Sequence, residues 1–435
     1  MDTLITNGML LSDPEGALIP EGYVAIRDGR IAALGPMSEL SPRLEARRRI
    51  DAAGMLTMPG LINGHNHAAM TLFRGLADDL PLAAWLHEHI FPAEGRLLRP
   101  DVVYWGTKLA AAEMLLAGTT TVADGYFYPD SAAQAFLEMG MRAIVAQGVI
   151  DFPAPGVATA ADNIRVAAEF VAAWQGREEL IAPAVFCHSP STCGPATLRE
   201  AKALCRRRGV LFFIHLAESK AEVEQIKAEF GVTPVAHLAK LGILDRDTVC
   251  VHCVWLTPED IALLQASGCG VVTCPESNMK LASGIAPLPA LLAAGVEVGL
   301  GSDGAASNND LDLFREMDSC AKLHKVAGMD PTLLPARQVL GLATKRGARV
   351  LGRELGELAV GRLADLIILD LQQPHLTPFY NRDLLVYAAR GADVRTVLVG
   401  GRLVVENGRL LTCDLDELLA KARELSREVS GGWPA

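Results

Sequence analysis

From residue 57 onward the chain repeats one pattern: a short β-branched or apolar run, a longer stretch with helical period, then another run. Eight such runs can be read, over 57–67, 119–125, 142–150, 181–189, 210–218, 248–256, 270–277 and 296–304. Helix-like segments such as 102–117, 196–208 and 258–266 lie between them, each ending near a glycine that can cap it. Alternation at this spacing predicts a parallel sheet with crossover helices, and eight units are the number that closes a barrel. An open dinucleotide-binding sheet is the competitor. It is disfavoured because no G-x-G-x-x-G follows the first run, and because polar residues of interest sit at the ends of many strands.

The two ends of the chain read differently, as short strands joined by tight turns. Asp28-Gly29, Gly400-Gly401 and Asn407-Gly408 are dipeptides that two-residue hairpins prefer, because they tolerate positive φ. Neither end alone could bury a sheet. The expectation is therefore a (β/α)8 TIM-like barrel over 59–357 with a small β-sandwich domain built from both termini, 1–58 and 358–435.

Composition narrows the partners. The net charge of −11 repels phosphate backbones, and no basic run exceeds Arg47 to Arg49 or Arg206 to Arg208, which argues against a nucleic-acid partner. No stretch approaches the roughly 18 uninterrupted apolar residues that a membrane span needs. The opening MDTLITNGML has an acid where a secretory signal carries a base, so a cytoplasmic location is expected. Nine cysteines, an odd number and several inside strand-like runs, suit reduced buried thiols, and the lone Cys250-x-x-Cys253 is read the same way.

The chemistry gathers at strand ends. His65 and His67 close the first run two residues apart, so both side chains leave the same face of a strand. His215 closes the fifth run, His252 the sixth, and Asp303 follows the eighth. Each alone is as well explained by a hydrogen-bonded core histidine or a capping aspartate. Together, imidazoles and a carboxylate meeting above one barrel are what a borderline cation such as Zn²⁺ takes, with a position left for water. Glu218, three residues after His215, can face that water and a substrate nitrogen at once. His87, His89, His237, His324 and His375 are read as surface or packing residues.

The pattern resembles the metal-dependent amidohydrolase superfamily over essentially the whole chain. The residues that carry it are Pro59-Gly60-Leu61-Ile62-Asn63-Gly64-His65-Asn66-His67, His215-Leu216-Ala217-Glu218, Val251-His252-Cys253 and Gly301-Ser302-Asp303-Gly304-Ala305-Ala306-Ser307-Asn308-Asn309. Within it, the chain looks most like the methylthioadenosine/S-adenosylhomocysteine deaminases. That likeness rests on Met70-Thr71-Leu72-Phe73-Arg74-Gly75-Leu76-Ala77-Asp78-Asp79-Leu80, Trp85-Leu86, Pro92-Ala93-Glu94, His188-Ser189-Pro190 and Pro275-Glu276-Ser277-Asn278-Met279-Lys280.

The resemblance implies one Zn²⁺ per subunit, with Fe²⁺ or Mn²⁺ as alternatives, on His65, His67, His215 and Asp303. His252 then stays outside the ligand set, beside the hydrolytic water and the attacked carbon. It also implies that Glu94 receives the ribose diol, that Trp85 packs in the pocket and that His188 hydrogen-bonds the purine. The expected reaction is hydrolytic deamination at purine C6 of an adenosine derivative, 5'-methylthioadenosine, S-adenosylhomocysteine or adenosine, with Glu218, His252 and Asp303 as catalytic groups; a homo-oligomer is left open. One departure stands out: relatives that grip a homocysteine carboxylate use arginines in and after the third strand, whereas this chain has Gln147 and then Asp151-Phe152-Pro153-Ala154-Pro155-Gly156. Deamination or dechlorination of a free base or triazine is the alternative activity, and a non-catalytic barrel the alternative class.

Overall fold

The structure, a computed structural model, describes residues 1–429. All eight internal runs form strands of one parallel sheet, paired in sequence order from Leu61–Asn66 through Thr119–Tyr126, Arg142–Val149, Ile181–Cys187, Phe212–Leu216, Thr248–His252 and Gly270–Thr273 to Val298–Leu300. Along most of their length these strands are buried on both faces, which is why their sequences read as apolar runs rather than alternating ones. Inside the ring, Ile62, Ile144, Phe186, Phe213, Val249 and Val272 fill the centre.

The first and last strands meet at a seam closed by few backbone contacts. The Asp303 N–H donates to the His65 carbonyl at 3.1 Å. Asn63 supplies the rest: its Oδ1 accepts the Ser302 N–H at 3.0 Å and its Nδ2 donates to Ser302 Oγ at 2.7 Å. Glycine is required at this seam. A Cβ on Gly301 would lie 2.8 Å from the His65 nitrogen, and one on Gly64 would lie 2.9 Å from Val272.

The run at 57–67 divides in two. Met55–Pro59 leaves the barrel and pairs antiparallel with Leu366–Asp370, while Leu61–Asn66 begins the ring. Thr57 and Met58 thus join strands from both ends of the chain into a nine-stranded mixed sheet. The three predicted turn dipeptides all sit between antiparallel strands with positive φ at both residues, 51° and 73°, 55° and 72°, and 52° and 72°. Ile5, Val24, Ile26, Leu366, Ile368 and Leu398 form a shared core from both termini. Arg142, opening the third barrel strand, ties this sheet to the barrel through a two-pronged pair with Asp365 at 2.7 and 3.1 Å.

Candidate active site

The strand order sets every predicted side chain at one end of the barrel. His65 and His67 rise from the first strand end, His215 from the fifth, His252 from the sixth, and Asp303 from the turn after the eighth. His65 Nε2 lies 3.2 Å from Asp303 Oδ1 and 3.4 Å from His215 Nε2; His67 Nε2 lies 3.4 Å from the same Asp303 oxygen. Two triads share His65, one with His67 and Asp303 and the other with His215 and His252, so distance alone groups all five donors.

The protonation states follow from burial. Desolvation disfavours charge on His65, pushing it down to about 4, and holds His67 and His215 below the ordinary imidazole value as well. Burial pushes the Asp303 carboxyl up, but the hydrogen bond and charge of His65, with His252 and His67, outweigh it and leave the group well below its ordinary value. His65, His67 and His215 are thus neutral nitrogens facing an ionised carboxylate, whereas His252, although burial opposes it, is raised above its ordinary value by Glu218 and Asp303. Two uncharged imidazole nitrogens 3.4 Å apart can share at most one proton, and a cation between them is what their lone pairs fit.

Three of the five donors, His67, Asp303 and His252, are aimed by neighbours. His67 Nδ1–H donates to the Gly125 carbonyl at 2.5 Å, which turns Nε2 to the cluster. Asp303 Oδ2 accepts from Ser277 Oγ at 2.7 Å and Ser307 Oγ at 2.9 Å, and Oδ1 from the Gly304 N–H at 2.9 Å. His252 Nδ1 is paired with Asn278 Oδ1 at 2.9 Å, leaving Nε2 toward Glu218 Oε2 at 3.8 Å. Ala217, His252, Cys253 and Asp303 all hold positive φ, between 50° and 70°. Such backbone costs roughly 1–3 kcal/mol per residue and persists where tertiary contacts impose it.

Glu218 is part-buried, and desolvation raises its pKa despite the opposing pull of His252. Its position is fixed from behind: Glu222 accepts the N–H groups of Ala217 and Glu218 at 3.1 and 3.0 Å. Glu222 is a residue that the strand-end reading missed. The Ser219-x-x-Glu222 spacing was the available signal, since Ser219 caps the following helix at the Glu222 N–H. Ser277, Ser307 and Asn278 were equally silent as separate roles, because hydroxyls and amides in loops carry no spacing signature.

A cavity of about 890 Å³ opens above the cluster, lined among others by Trp85, Glu94, His188, Glu218, His252 and Asp303. Trp85 is buried on a π-helical turn, Trp85–Ile90, and Glu94 on the helix Phe91–Leu97 that follows. π-Turns of this kind recur at functional sites. Glu94 is only 5% exposed, and burial raises its carboxyl to about 7 although Tyr126 Oη–H donates to it at 2.5 Å. His188, pushed down to about 4 by burial, has Nδ1 on Thr192 Oγ1 at 2.9 Å. His87, read as a bland residue, is exposed but lines this cavity. His237 stacks on Phe230 and His324 meets the Cys320 and Ala286 carbonyls, as packing residues do.

Known proteins are similar to this chain over nearly its whole length. A 5-methylthioadenosine/S-adenosylhomocysteine deaminase of Syntrophobacter fumaroxidans is 51% identical over 432 residues, covering 98% of each chain. A 5'-deoxyadenosine deaminase of Methanosarcina acetivorans is 43% identical over 431 residues, again 98% of each. The crystal structure of an adenosine deaminase from Xanthomonas campestris with bound zinc superposes with a TM-score of 0.96 at 36% identity, over 99% of both chains. The Amidohydrolase family model matches residues 56–404, a span holding the whole barrel and every side chain of the cluster, and the chain belongs to that family.

Proposed function

We propose that the enzyme hydrolytically removes ammonia from C6 of an adenosine derivative, giving the inosine analogue, with a zinc ion on His65, His67, His215 and Asp303. The observation that carries it is Glu218, a part-buried carboxyl 3.8 Å from His252 that lines the same cavity as His67, His215 and Asp303. The activities and bound zinc named for the similar proteins support the reading.

A zinc ion, when bound, supplies Lewis-acid activation of water, whose pKa falls from 15.7 toward about 7. Asp303, kept ionised, is the base that takes the proton. Glu218, whose burial favours the protonated form, donates to N1 of the purine, so the ring does not accumulate negative charge as C6 is attacked. His252 hydrogen-bonds the new hydroxyl on C6, a preorganised partner for the developing charge. His252 suits this role better than that of a ligand because its Nε2 already faces Glu218. Glu94 receives the ribose diol, His188 the purine edge, and Trp85 packs against the substrate.

The 5' substituent meets an apolar wall. Gln147 donates to the Gly148 carbonyl, and Phe152, Pro153, Ala154 and Pro155 line the cavity beyond it. The two lysines at the mouth, Lys220 and Lys280, face Glu224 and Asp78. Uncharged 5' groups, as in methylthioadenosine, 5'-deoxyadenosine or adenosine, fit this wall better than an amino-acid tail. Measuring kcat/KM for adenosine, methylthioadenosine, S-adenosylhomocysteine and adenine tests both levels. Equal rates on adenine and adenosine would transfer the reading to a free-base deaminase, for which a buried Glu94 has no use.

No helix of the described residues is long and apolar enough to cross a membrane. We also propose a cytoplasmic location, supported by nine unpaired cysteines, eight of them buried. Residues 1–58 with 358–435, of which 430–435 lie outside the described residues, and the barrel, 59–357, are proposed as two units, which limited proteolysis would resolve as protected fragments.

A further inference from the structure

Glu94 is shut in a largely apolar cavity wall and has one side-chain hydrogen bond among the described residues, from Tyr126. The two positions are 32 residues apart and come from different elements: Glu94 from the helix Phe91–Leu97, Tyr126 from the last position of the second barrel strand. Tyr126 is itself only 6% exposed, with its ring 6.0 Å from that of His67. A phenol fixed to a barrel strand is a rigid anchor, whereas a glutamate on a short helix has three rotatable bonds. The donor is permanent, because burial and then Glu94 push the phenol well above its ordinary pKa.

Among the described residues the second carboxylate oxygen, Oε2, has no hydrogen bond, and it is not sealed from solvent. It faces the cavity. A carboxylate offers about four lone-pair positions. Tyr126 takes one on Oε1, which defines the plane of the group and leaves the remainder for ligand hydroxyls.

We propose that Tyr126 is a positioning residue for ribose recognition: its hydroxyl orients Glu94 and keeps it an anionic acceptor for the vicinal diol. This rests on the assignment of Glu94 to the diol made above. The phenol touches neither the purine nor the reacting carbon, so its effect falls on binding of the sugar. Removing it leaves a buried carboxylate without its donor, free to rotate and easier to protonate.

The test compares adenosine with 2',3'-dideoxyadenosine in the holoenzyme and in Tyr126→Phe, Glu94→Gln and the double variant, with zinc content and melting temperature checked for each. Phenylalanine removes only the hydroxyl, and glutamine keeps the side-chain shape. The expected result is that Tyr126→Phe lowers kcat/KM for adenosine roughly ten- to a hundredfold, as loss of a charge-assisted hydrogen bond does. The loss should appear in KM, leave dideoxyadenosine unchanged, and vanish on the Glu94→Gln background. Equal losses on both substrates, or an undiminished loss in the double variant, would overturn the role of Tyr126 while leaving Glu94 in place. If the unaltered enzyme and Glu94→Gln treat the two nucleosides alike, the diol assignment itself fails and this proposal goes with it.

Discussion

At the carboxyl-terminal mouth of the barrel, imidazoles and carboxylates are packed against one another with few partners; at the amino-terminal base, Arg142 and Asp365 form a closed pair. That pair is satisfied, although Thr119 Oγ1 and Thr121 Oγ1 near it are buried without partners among the described residues: Arg142 also reaches the Glu179 carbonyl, and Asp365 Oδ1 also accepts the Gly400 N–H at 2.5 Å. The mouth is not. Among the described residues His65 Nδ1, Asn66 Oδ1 and Asp124 Oδ2 are buried without partners, and Ala217, His252, Cys253 and Asp303 hold left-handed backbone. Buried polar groups are costly unless paired, so a structural site completes its pairs, while a site for chemistry keeps valences open for what binds there.

The largest effect should come from emptying the mouth. Stripping metal with a chelator, followed by dialysis, is expected to bring deamination to background, and added zinc to restore it, read as ammonia release beside metal analysis. Retention of full turnover in metal-free protein would break the contrast outright. Next is Glu218→Gln, which should keep the metal and lose roughly 10²- to 10⁴-fold in kcat, the range of general acid catalysis. A metal-replete variant with near-normal kcat would remove Glu218 from the chemistry.

The base should respond in stability instead. Arg142→Ala leaves Asp365 buried without its cation and is expected to cost roughly 3–5 kcal/mol in denaturant melts, with kcat of the folded enzyme unchanged. A loss of kcat with no loss of stability would mean that the two ends are coupled. A smaller effect follows from Glu94, raised to about 7 chiefly by burial. Lowering pH through that value protonates the acceptor, so KM for adenosine should rise severalfold from pH 8 to 6, and Glu94→Gln should flatten the trend. Smallest is Gly408→Ala in the terminal hairpin, where φ of 72° makes a Cβ cost about 1 kcal/mol, visible only in the melting temperature.

Much of the mouth was legible because its chemistry sits at equivalent places in a repeated pattern. His65, His67, His215, His252 and Asp303 each end or follow a strand-like run, and a closed ring of strands necessarily brings such ends together. The sequence places the unit boundary between residues 58 and 59, yet 57–67 reads as a single strand-like run, which the structure divides into two strands. Thr57, Met58, Leu61 and Ile62 read as one β-prone stretch, and such a stretch does not record that its first part pairs with Leu366–Asp370 and its second with the barrel.

Local order therefore suffices for the alternation of elements, the hairpin dipeptides and the H-x-H pair, all of which depend on residues a few positions apart. Tertiary structure alone decided that Tyr126 anchors Glu94, that Glu222 steadies the backbone of Glu218, that Ser277 and Ser307 hold Asp303, and that Asn63 closes the seam. The physical reason is directional: a hydrogen bond needs its partner within about 3 Å and in line, and only the packed barrel sets such distances between residues far apart along the chain.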